Sequence, residues 1–376
     1  MNKPSNRWMM LIITVILISL VISGCIPEDG QGFTCEPITA SEEPPPFMPP
    51  TILQEDEPVP EEIRKTPEPL EPLCPEGQVP VAKIIEPGLP KGNPLLAANI
   101  LPIISDFDLG DFIRDGLQPI EKVYWKGIEE QKKILPPDPE GDCNGVDNDS
   151  ACYYYAAASY RREADGGGMT FSIERPAYDN SGGSGHTLVE IAIQGGTGDG
   201  NIVELGWNVS TDQYSNGNPH LFVFHWIGWN PTCYDACEWQ QWNTTYYPGM
   251  DLNSMVGREV YIGYVIWEGN WWAWFDNQWL GYYPGSEWGN EYTKNQLTQW
   301  FGEVASNNGI PPKSDMGDGN FPTSQSAATM YTLCDVNASD WVCWYRDQQS
   351  LGATVPSYYD IDRTGFGRTR YGGPGE

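Results

Sequence analysis

Hydrophobic and polar residues alternate along most of the chain after residue 150, which is the pattern of strands with one buried face. Gly, Asn and Asp residues separate the alternating segments, as they do in turns. Only residues 293–301 have a helical pattern. Many short strands with polar turns predict an all-β fold, an antiparallel β-sandwich. The predicted strands cover residues 153–160, 169–173, 187–193, 202–209, 221–226, 259–267 and 271–275.

The first 24 residues have the pattern of an export signal. Lys3 and Arg7 precede an apolar run at 8–22, which is short for a membrane span and is followed by small residues. Residues 22–25, Ile-Ser-Gly-Cys, resemble a lipobox, which implies cleavage before Cys25 and a lipid on its sulfur. An ordinary export signal or an uncleaved anchor is the alternative. We expect an exported protein, and with the lipid a membrane-anchored lipoprotein facing the extracytoplasmic side.

Residues 25–73 are rich in Pro and Glu, including Pro44-Pro45-Pro46 and Pro49-Pro50. Proline cannot donate a backbone hydrogen bond, and repelling charges keep such a segment extended. The sequence therefore predicts a solvated tether between the lipid and the folded part.

The chain is strongly acidic, with 51 Asp and Glu against 21 Lys and Arg and a formal net charge of -30. This charge argues against nucleic acid as a partner and against electrostatic docking on an anionic bilayer. A solubilising surface is one interpretation of it. Adaptation to acid is the other, because carboxylates that repel one another near neutrality lose their charge toward about pH 4.

Export places the nine cysteines in an environment that permits disulfides, so they are candidates for pairing. With Cys25 assigned to lipid, an even set remains. A zinc site at Cys233 and Cys237 is the competing interpretation, but no His and no second close Cys pair accompany it. The predicted pairs are Cys143–Cys152, Cys233–Cys237, Cys334–Cys343 and, by remainder, Cys35–Cys74.

One acidic turn has the residue types of a weak calcium site. Hard cations prefer several oxygen ligands on a tight loop that contains Gly. The turn lacks the spacing of an EF-hand and its closing Glu, so a disulfide-pinned turn with solvated acids is the alternative, and no other cofactor is indicated. The candidate ligands are Asp142, Asn144, Asp147 and Asp149.

Two glutamates, Glu204 and Glu303, stand in apolar strand patterns where an acidic side chain requires an explanation. Glu204 lies in Val-Glu-Leu-Gly-Trp and Glu303 in Trp-Phe-Gly-Glu-Val. Between them come a close Cys pair, a Gly-Asn-Trp-Trp stretch at 269–272 and a Gly-Tyr-Tyr-Pro turn at 281–284. This order of motifs resembles the neprosin family of glutamic peptidases.

The resemblance extends beyond these motifs. Residues 74–81, Cys-Pro-Glu-Gly-Gln-Val-Pro-Val, look like an element of the family's prosegment, with Gln78 in place of the usual Thr. Residues 316–321 and 371–375 are similar to its closing signatures. The expected division is a signal peptide at 1–24, a tether at 25–73, a prosegment-like region at 74–145 and a catalytic β-sandwich at 146–376.

The resemblance implies two strongly curved sheets of jelly-roll type, a catalytic pair at Glu204 and Glu303, and cleavage after proline. Peptide or protein substrates, including proline-rich ones, would then be the partners. The layout also leads us to expect that cutting the chain between about residues 140 and 153 releases the catalytic domain from the membrane.

The residues themselves are compatible with this chemistry. Peptide hydrolysis by water needs one group that takes a proton and one that gives a proton, and two carboxyl groups suffice when their environments separate their pKa values. Burial and a neighbouring negative charge would raise the pKa of one of them. The three histidines, His186, His220 and His225, lie in no nucleophile or zinc motif. The alternative is that each Glu is salt-bridged or faces solvent.

Glu190 departs from the family, which usually has Gln at that position. A third carboxyl near the pair would shift its titration, whereas a solvent-facing one would not. Several aromatic residues are candidates for lining a substrate cleft, and filling of the core is the alternative for them. These candidates are Trp207, Trp271, Trp272, Tyr282 and Tyr283.

Two other functions stay open from the sequence alone. Paired carboxylates and exposed Trp also suit a two-carboxylate glycosidase. A cell-surface β-sandwich that binds carbohydrate or protein without catalysis is the second.

Overall fold

The structure is a computed structural model. It describes residues 33–38, 42–46, 49–53, 71–82, 151–179, 185–195, 200–235, 237–307, 312–345, 349–365 and 367–376.

The described chain is almost entirely β-structure, which confirms the predicted all-β class. One four-residue helix, α1 (Thr211–Tyr214), and two 3-10 turns (Asn253–Met255 and Gly285–Trp288) interrupt the strands. In chain order the strands are β1 (Phe33–Pro37), β2 (Thr51–Leu53), β3 (Gln78–Ala82), β4 (Ala151–Ala164), β5 (Gly166–Ser172), β6 (His186–Gly195), β7 (Ile202–Val209), β8 (His220–Ile227), β9 (Asn230–Pro231), β10 (Gln240–Gln241), β11 (Glu259–Trp267), β12 (Asn270–Phe275), β13 (Gln278–Tyr283), β14 (Asn295–Asn307), β15 (Thr329–Asn337), β16 (Val342–Tyr345), β17 (Ser350–Ala353), β18 (Asp360–Gly365) and β19 (Arg368–Gly372).

Two sheets form the sandwich. The seven-stranded sheet has the order β17-β4-β14-β6-β7-β8-β9, and all its pairs are antiparallel. The ten-stranded sheet has the path β10-β13-β12-β11-β5-β15-β16-β2, with β18 and β19 attached at β15. Its pairs are antiparallel except for β2 with β16.

The core lies between the sheets and follows from strand alternation. On β7, Val203, Leu205 and Trp207 join the same buried cluster as Trp271 of β12. The residues between them face the other side of the seven-stranded sheet, where Ile202 joins a second buried cluster. The seven-stranded sheet therefore has two buried faces, and its second face carries the site described below.

The helix predicted at 293–301 is wrong. Residues Asn295–Asn307 form β14, which pairs with β4 on one side and β6 on the other. Trp300 packs in the core between the sheets, and Phe301 packs in the cluster on the opposite face. Because both faces are buried, apolar residues follow one another without a two-residue period, and the strand looks like a buried helix in sequence.

Part of the predicted tether is folded against the sandwich. Strand β2 adds to β16 directly after Pro49-Pro50, and the Tyr261 hydroxyl donates to the Pro50 carbonyl at 3.0 Å. Phe33 of β1 packs on Tyr247. The predicted tether therefore contains two paired strands, β1 and β2. Strand β2 itself contains no proline, since Pro49-Pro50 end directly before it.

Three predicted disulfides are confirmed, and they are Cys35–Cys74, Cys233–Cys237 and Cys334–Cys343. The fourth involves Cys143, which lies outside the described residues.

Other predictions also fall outside the described residues. They concern the signal peptide, the lipid on Cys25, and the calcium candidates Asp142, Asn144, Asp147 and Asp149. Within the described part, no helix has the length and apolar character needed to cross a membrane. The domain boundaries at 73 and 145 stay predictions.

Candidate active site

Three glutamates lie on one face of the seven-stranded sheet, on three neighbouring strands. Glu303 is on β14, Glu190 on the central strand β6, and Glu204 on β7. All three are fully buried, with 0% of each residue exposed. The sheet therefore collects its acidic side chains on the face opposite the core between the sheets.

The strand register fixes the order of the three carboxyls. Glu190 pairs with Gly206 of β7 and with Phe301 of β14, so Glu204 and Glu303 are each two residues further along a neighbouring strand. Such diagonal neighbours lie roughly 7–8 Å apart. Glu190 is thus the carboxyl between the other two. It does not face solvent but is buried with them.

Glu303 has two polar neighbours on its flanking strands. The His186 Nε2 atom lies 2.5 Å from Glu303 Oε1, and both side chains are buried. On the other side, Tyr155 of β4 is the register partner of Glu303 and its hydroxyl hydrogen-bonds to the Glu303 carboxyl. Both contacts stabilise negative charge on Glu303.

Glu204 has a different environment. Trp226 of β8 donates from its indole Nε1 to Glu204 Oε1 at 3.0 Å. The register partners of Glu204 are Ala192 on β6 and Phe224 on β8, both apolar and buried. Glu204 therefore accepts a hydrogen bond from a neutral indole beside apolar residues, whereas Glu303 faces an imidazole.

The negative charge of the cluster acts on nearby tyrosines. Burial first, and then the charges of Glu303, Glu190 and Glu204, hold the pKa of Tyr234 well above its ordinary value. Burial and two of these carboxyls have the same effect on the pKa of Tyr264. These phenols therefore keep their protons across the whole acid and neutral range.

The five aromatic residues expected to line the cleft do not lie on this face. Trp271 and Trp272 are on β12, and Tyr282 and Tyr283 are on β13, both in the ten-stranded sheet. Successive residues of a strand point to opposite faces of the sheet, and both faces are buried here. Trp207 of β7 points to the face opposite Glu204. Correcting that prediction, Trp207, Trp271 and Tyr283 belong to the core between the sheets, and Trp272 and Tyr282 to the cluster on the far side of the ten-stranded sheet.

Other side chains surround the glutamates instead. Tyr153, Trp229 and Tyr234 are partly buried and pack against the apolar cluster on the glutamate face. Together with His186 and Trp226 they are the residues that the sequence did not single out. Strand parity could have identified His186, because it is four residues before Glu190 on β6 and therefore shares its face.

The other two histidines have structural roles. His225 points into the core, packs on Tyr283 and Trp288, and has its pKa lowered to about 4 by burial. His220 stacks on Tyr214 at the far end of β8, and burial lowers its pKa as well.

Comparison with known proteins gives one family. A family model described as Neprosin matches residues 184–374, just over half of the chain and including all three glutamates. No curated protein matches the sequence closely enough to count as a relative.

Among solved structures, the chain is similar to Scytalido-glutamic peptidase with a peptide-based transition state analogue, at 10% identity and a TM-score of 0.37. It is also similar to SCP-B, a member of the eqolisin family of peptidases, at 11% identity and a TM-score of 0.30. Each match covers 60% of this chain and 100% of the other. The carbohydrate binding module CBM66 from Bacillus subtilis follows at 11% identity and a TM-score of 0.23, with 40% of this chain and 80% of that one covered. Because these TM-scores are low, we base the function on the family and on the site.

Proposed function

The chain belongs to the neprosin family of glutamic peptidases, and we propose that it hydrolyses peptide bonds at acid pH with Glu204 and Glu303 as its catalytic pair. The observation that carries this proposal is the burial of Glu204, Glu190 and Glu303 on one sheet face.

Three buried carboxyls on neighbouring strands cannot all be ionised, since burial and like charge both favour the neutral acid. At least one of them holds a proton at a pH where an isolated Glu has lost it. A site that holds both an ionised and a protonated carboxyl has the base and the acid that peptide hydrolysis requires.

The neighbours of each glutamate support an assignment of roles. Glu303, beside His186 and bonded to Tyr155, is the ionised base that takes a proton from the attacking water. Glu204, beside Phe224 and Trp226, is the acid that gives its proton to the leaving amine. Glu190 lies between them and makes simultaneous ionisation of both less favourable.

Cleavage after proline and export as a lipoprotein complete the proposal. The aromatic rings on the glutamate face, Tyr153, Trp229 and Tyr234, suit a proline ring, because an aromatic face packs well against it. Disulfides form and persist in the oxidising environment outside the cytoplasm, so these three bonds are in keeping with an extracytoplasmic location. The proposed substrates are peptides or proteins, with the membrane as a partner through the N-terminal lipid.

The test of this function is digestion of an unfolded, proline-containing protein by the exported chain from about pH 2.5 to about pH 7, with the cut sites located by mass spectrometry. We expect cleavage that increases toward acid and cut sites that follow proline. Reducing-sugar release from polysaccharides without peptide cleavage would instead support the glycosidase. Cuts with no relation to proline would contradict the proposed proline specificity but would still support a peptidase.

The role of Glu303 predicts a shifted pH profile for His186→Gln. Glutamine keeps a hydrogen-bond donor near Glu303 but cannot carry a positive charge, so the pKa of the base should rise. An opposite charge lowers a carboxyl pKa by about 1–3 units. The acid limb of kcat/KM should therefore move up by about one pH unit or more, with a loss of about tenfold or more near pH 3 and little change near pH 6.

His220→Gln is the matched control, because His220 bonds to the Asn218 carbonyl at the far end of β8. Its pH profile should equal that of the unmodified protein. An unchanged acid limb in His186→Gln, or an equal loss at every pH, would contradict the assignment of Glu303 as the base.

A further inference from the structure

The loop closed by the Cys233–Cys237 disulfide places one tyrosine over the glutamate face. The ring of Tyr234 contacts Phe224 at 4.9 Å and Phe222 at 5.7 Å between ring centroids. Phe224 is the register partner of Glu204, and Phe222 is the register partner of Gly206, which in turn pairs with Glu190. Tyr234 therefore packs on β8, one strand away from Glu204 and two strands away from Glu190.

The Tyr234 hydroxyl is buried and has no hydrogen-bond partner among the described residues. Tyr214 donates to Asp235 at 2.9 Å and Tyr264 donates to the Glu204 carbonyl at 3.1 Å, whereas the buried hydroxyls of Tyr283 and Tyr371 also have no partner among the described residues. A buried hydroxyl without a partner costs about 1–3 kcal/mol and calls for an explanation. A donor kept for a substrate atom is such an explanation.

The charges of the three glutamates act on this hydroxyl. Among the described tyrosines with raised pKa values, Tyr234 is the one on which Glu303, Glu190 and Glu204 all act. After burial, their charges hold its pKa well above the ordinary value. The hydroxyl thus remains a proton donor to hydrogen bonds throughout the working pH range.

The loop is also held in place from several directions. The Thr232 side chain bonds to His225, at 2.9 Å to Nδ1 and 2.7 Å to the carbonyl oxygen. Asp235 pairs with Val223 through backbone and side chain. With the disulfide, these contacts fix the residues on both sides of Tyr234. A fixed donor costs no reorganisation during the reaction, which is the condition for strong stabilisation of a transition state.

We propose that the Tyr234 hydroxyl is a catalytic donor that hydrogen-bonds the scissile carbonyl oxygen as it becomes an oxyanion. This inference rests on the proposed peptidase function. Water adds to the carbonyl carbon, its proton goes to Glu303, and the C=O π pair moves onto the oxygen facing Tyr234. When the C–N bond breaks, that pair re-forms the carbonyl and the amine takes the proton of Glu204. Tyr234 keeps its own proton throughout.

The test compares Tyr234→Phe with Tyr371→Phe in the complete exported chain. Tyr371 is the matched control, since its hydroxyl is also buried without a partner among the described residues but its ring lies in the core between the sheets. Its pKa is raised by burial and by Glu174 and Asp318 rather than by the three glutamates. Both variants keep the ring and remove only the oxygen.

For Tyr234→Phe we expect kcat to fall by about 10²–10³-fold, as on removal of one oxyanion donor, with KM within about threefold of the unmodified protein. A phosphinate peptide, which mimics the tetrahedral intermediate, should bind more weakly by a similar factor, whereas a product peptide should bind equally well. Tyr371→Phe should change none of these. Both variants should have a Tm equal to or above that of the unmodified protein, because an unpaired buried hydroxyl is removed.

A kcat within about fivefold of the unmodified protein, or a loss confined to KM, would overturn the role of Tyr234. So would a Tyr234→Phe chain that fails to fold, because the hydroxyl would then have a structural partner. These results are distinct from failure of the proposed function. That failure would appear as no peptide cleavage by the unmodified protein, or as cleavage that persists in Glu204→Gln.

Discussion

Replacing either Glu204 or Glu303 by glutamine is expected to lower kcat for peptide hydrolysis by about 10³-fold or more, which is the upper range for loss of a general acid or base. Glutamine has nearly the shape of glutamate and can still accept the indole hydrogen bond of Trp226 at position 204. It can neither take a proton from water nor give one to the leaving amine. The loss should therefore appear in kcat at every pH rather than as a shift of the optimum.

The measurement is steady-state hydrolysis of a proline-containing peptide by both variants, with Tm recorded for each. Glu163→Gln is the control, since Glu163 is an exposed glutamate on β4, the strand next to β14. It should retain full activity. The Tm of the two site variants should be equal to or higher than that of the unmodified protein, because a buried carboxyl beside two others is removed. Retained cleavage in either variant would exclude that residue from the catalytic pair.

Local motifs were enough to single out Glu204 and Glu303, but they could not predict what surrounds these residues. Glu204 and Glu303 each lie in a strand that reads as apolar, so an acid there indicates a special role. Their convergence depends on β14, β6 and β7 being neighbours in the sheet, although Glu303 follows Glu204 by 99 residues in the sequence. Pairing over such distances is not encoded in a local pattern, so the contact of His186 with Glu303 emerged only from the fold.

For the aromatic residues, the sequence pattern did not distinguish a cleft from a core. Trp271 and Tyr282 lie in stretches dense in Trp and Tyr, and such density fits a cleft and a core equally well in sequence. The fold places them in the sheet that carries none of the three glutamates. The aromatic rings on the glutamate face come from a different source, namely the disulfide loop with Tyr234 and the turn with Trp229. Composition therefore predicted the fold class well and the lining of the site poorly.

The same disulfide loop links the fold to acid conditions through Asp235. Its carboxyl is buried, and burial raises its pKa from 3.8 to about 7 against the opposing effect of hydrogen bonds from Tyr214 and Val223. In the unfolded chain the carboxyl ionises near its ordinary value. Between about pH 4 and pH 7 the folded protein thus holds a proton that the unfolded chain has released. The free energy of unfolding contributed by this group is fully present below about pH 4 and is lost as pH rises through about 7.

Asp235→Asn should remove that dependence, because an amide does not ionise. A pKa shift of about three units corresponds to about 4 kcal/mol. The free energy of unfolding of the variant minus that of the unmodified protein should be larger at pH 8 than at pH 4, by up to about 4 kcal/mol. A constant cost of the amide cancels in this comparison. Guanidinium unfolding at several pH values with the disulfides intact measures this difference.

Asp362→Asn is the control, since Asp362 is exposed on β18 and its replacement should add no pH dependence. A constant offset between Asp235→Asn and the unmodified protein from pH 4 to pH 8 would contradict a neutral Asp235. A difference that grows toward pH 8 would mean that the loop carrying Tyr234 is most stable where the glutamate site is proposed to work.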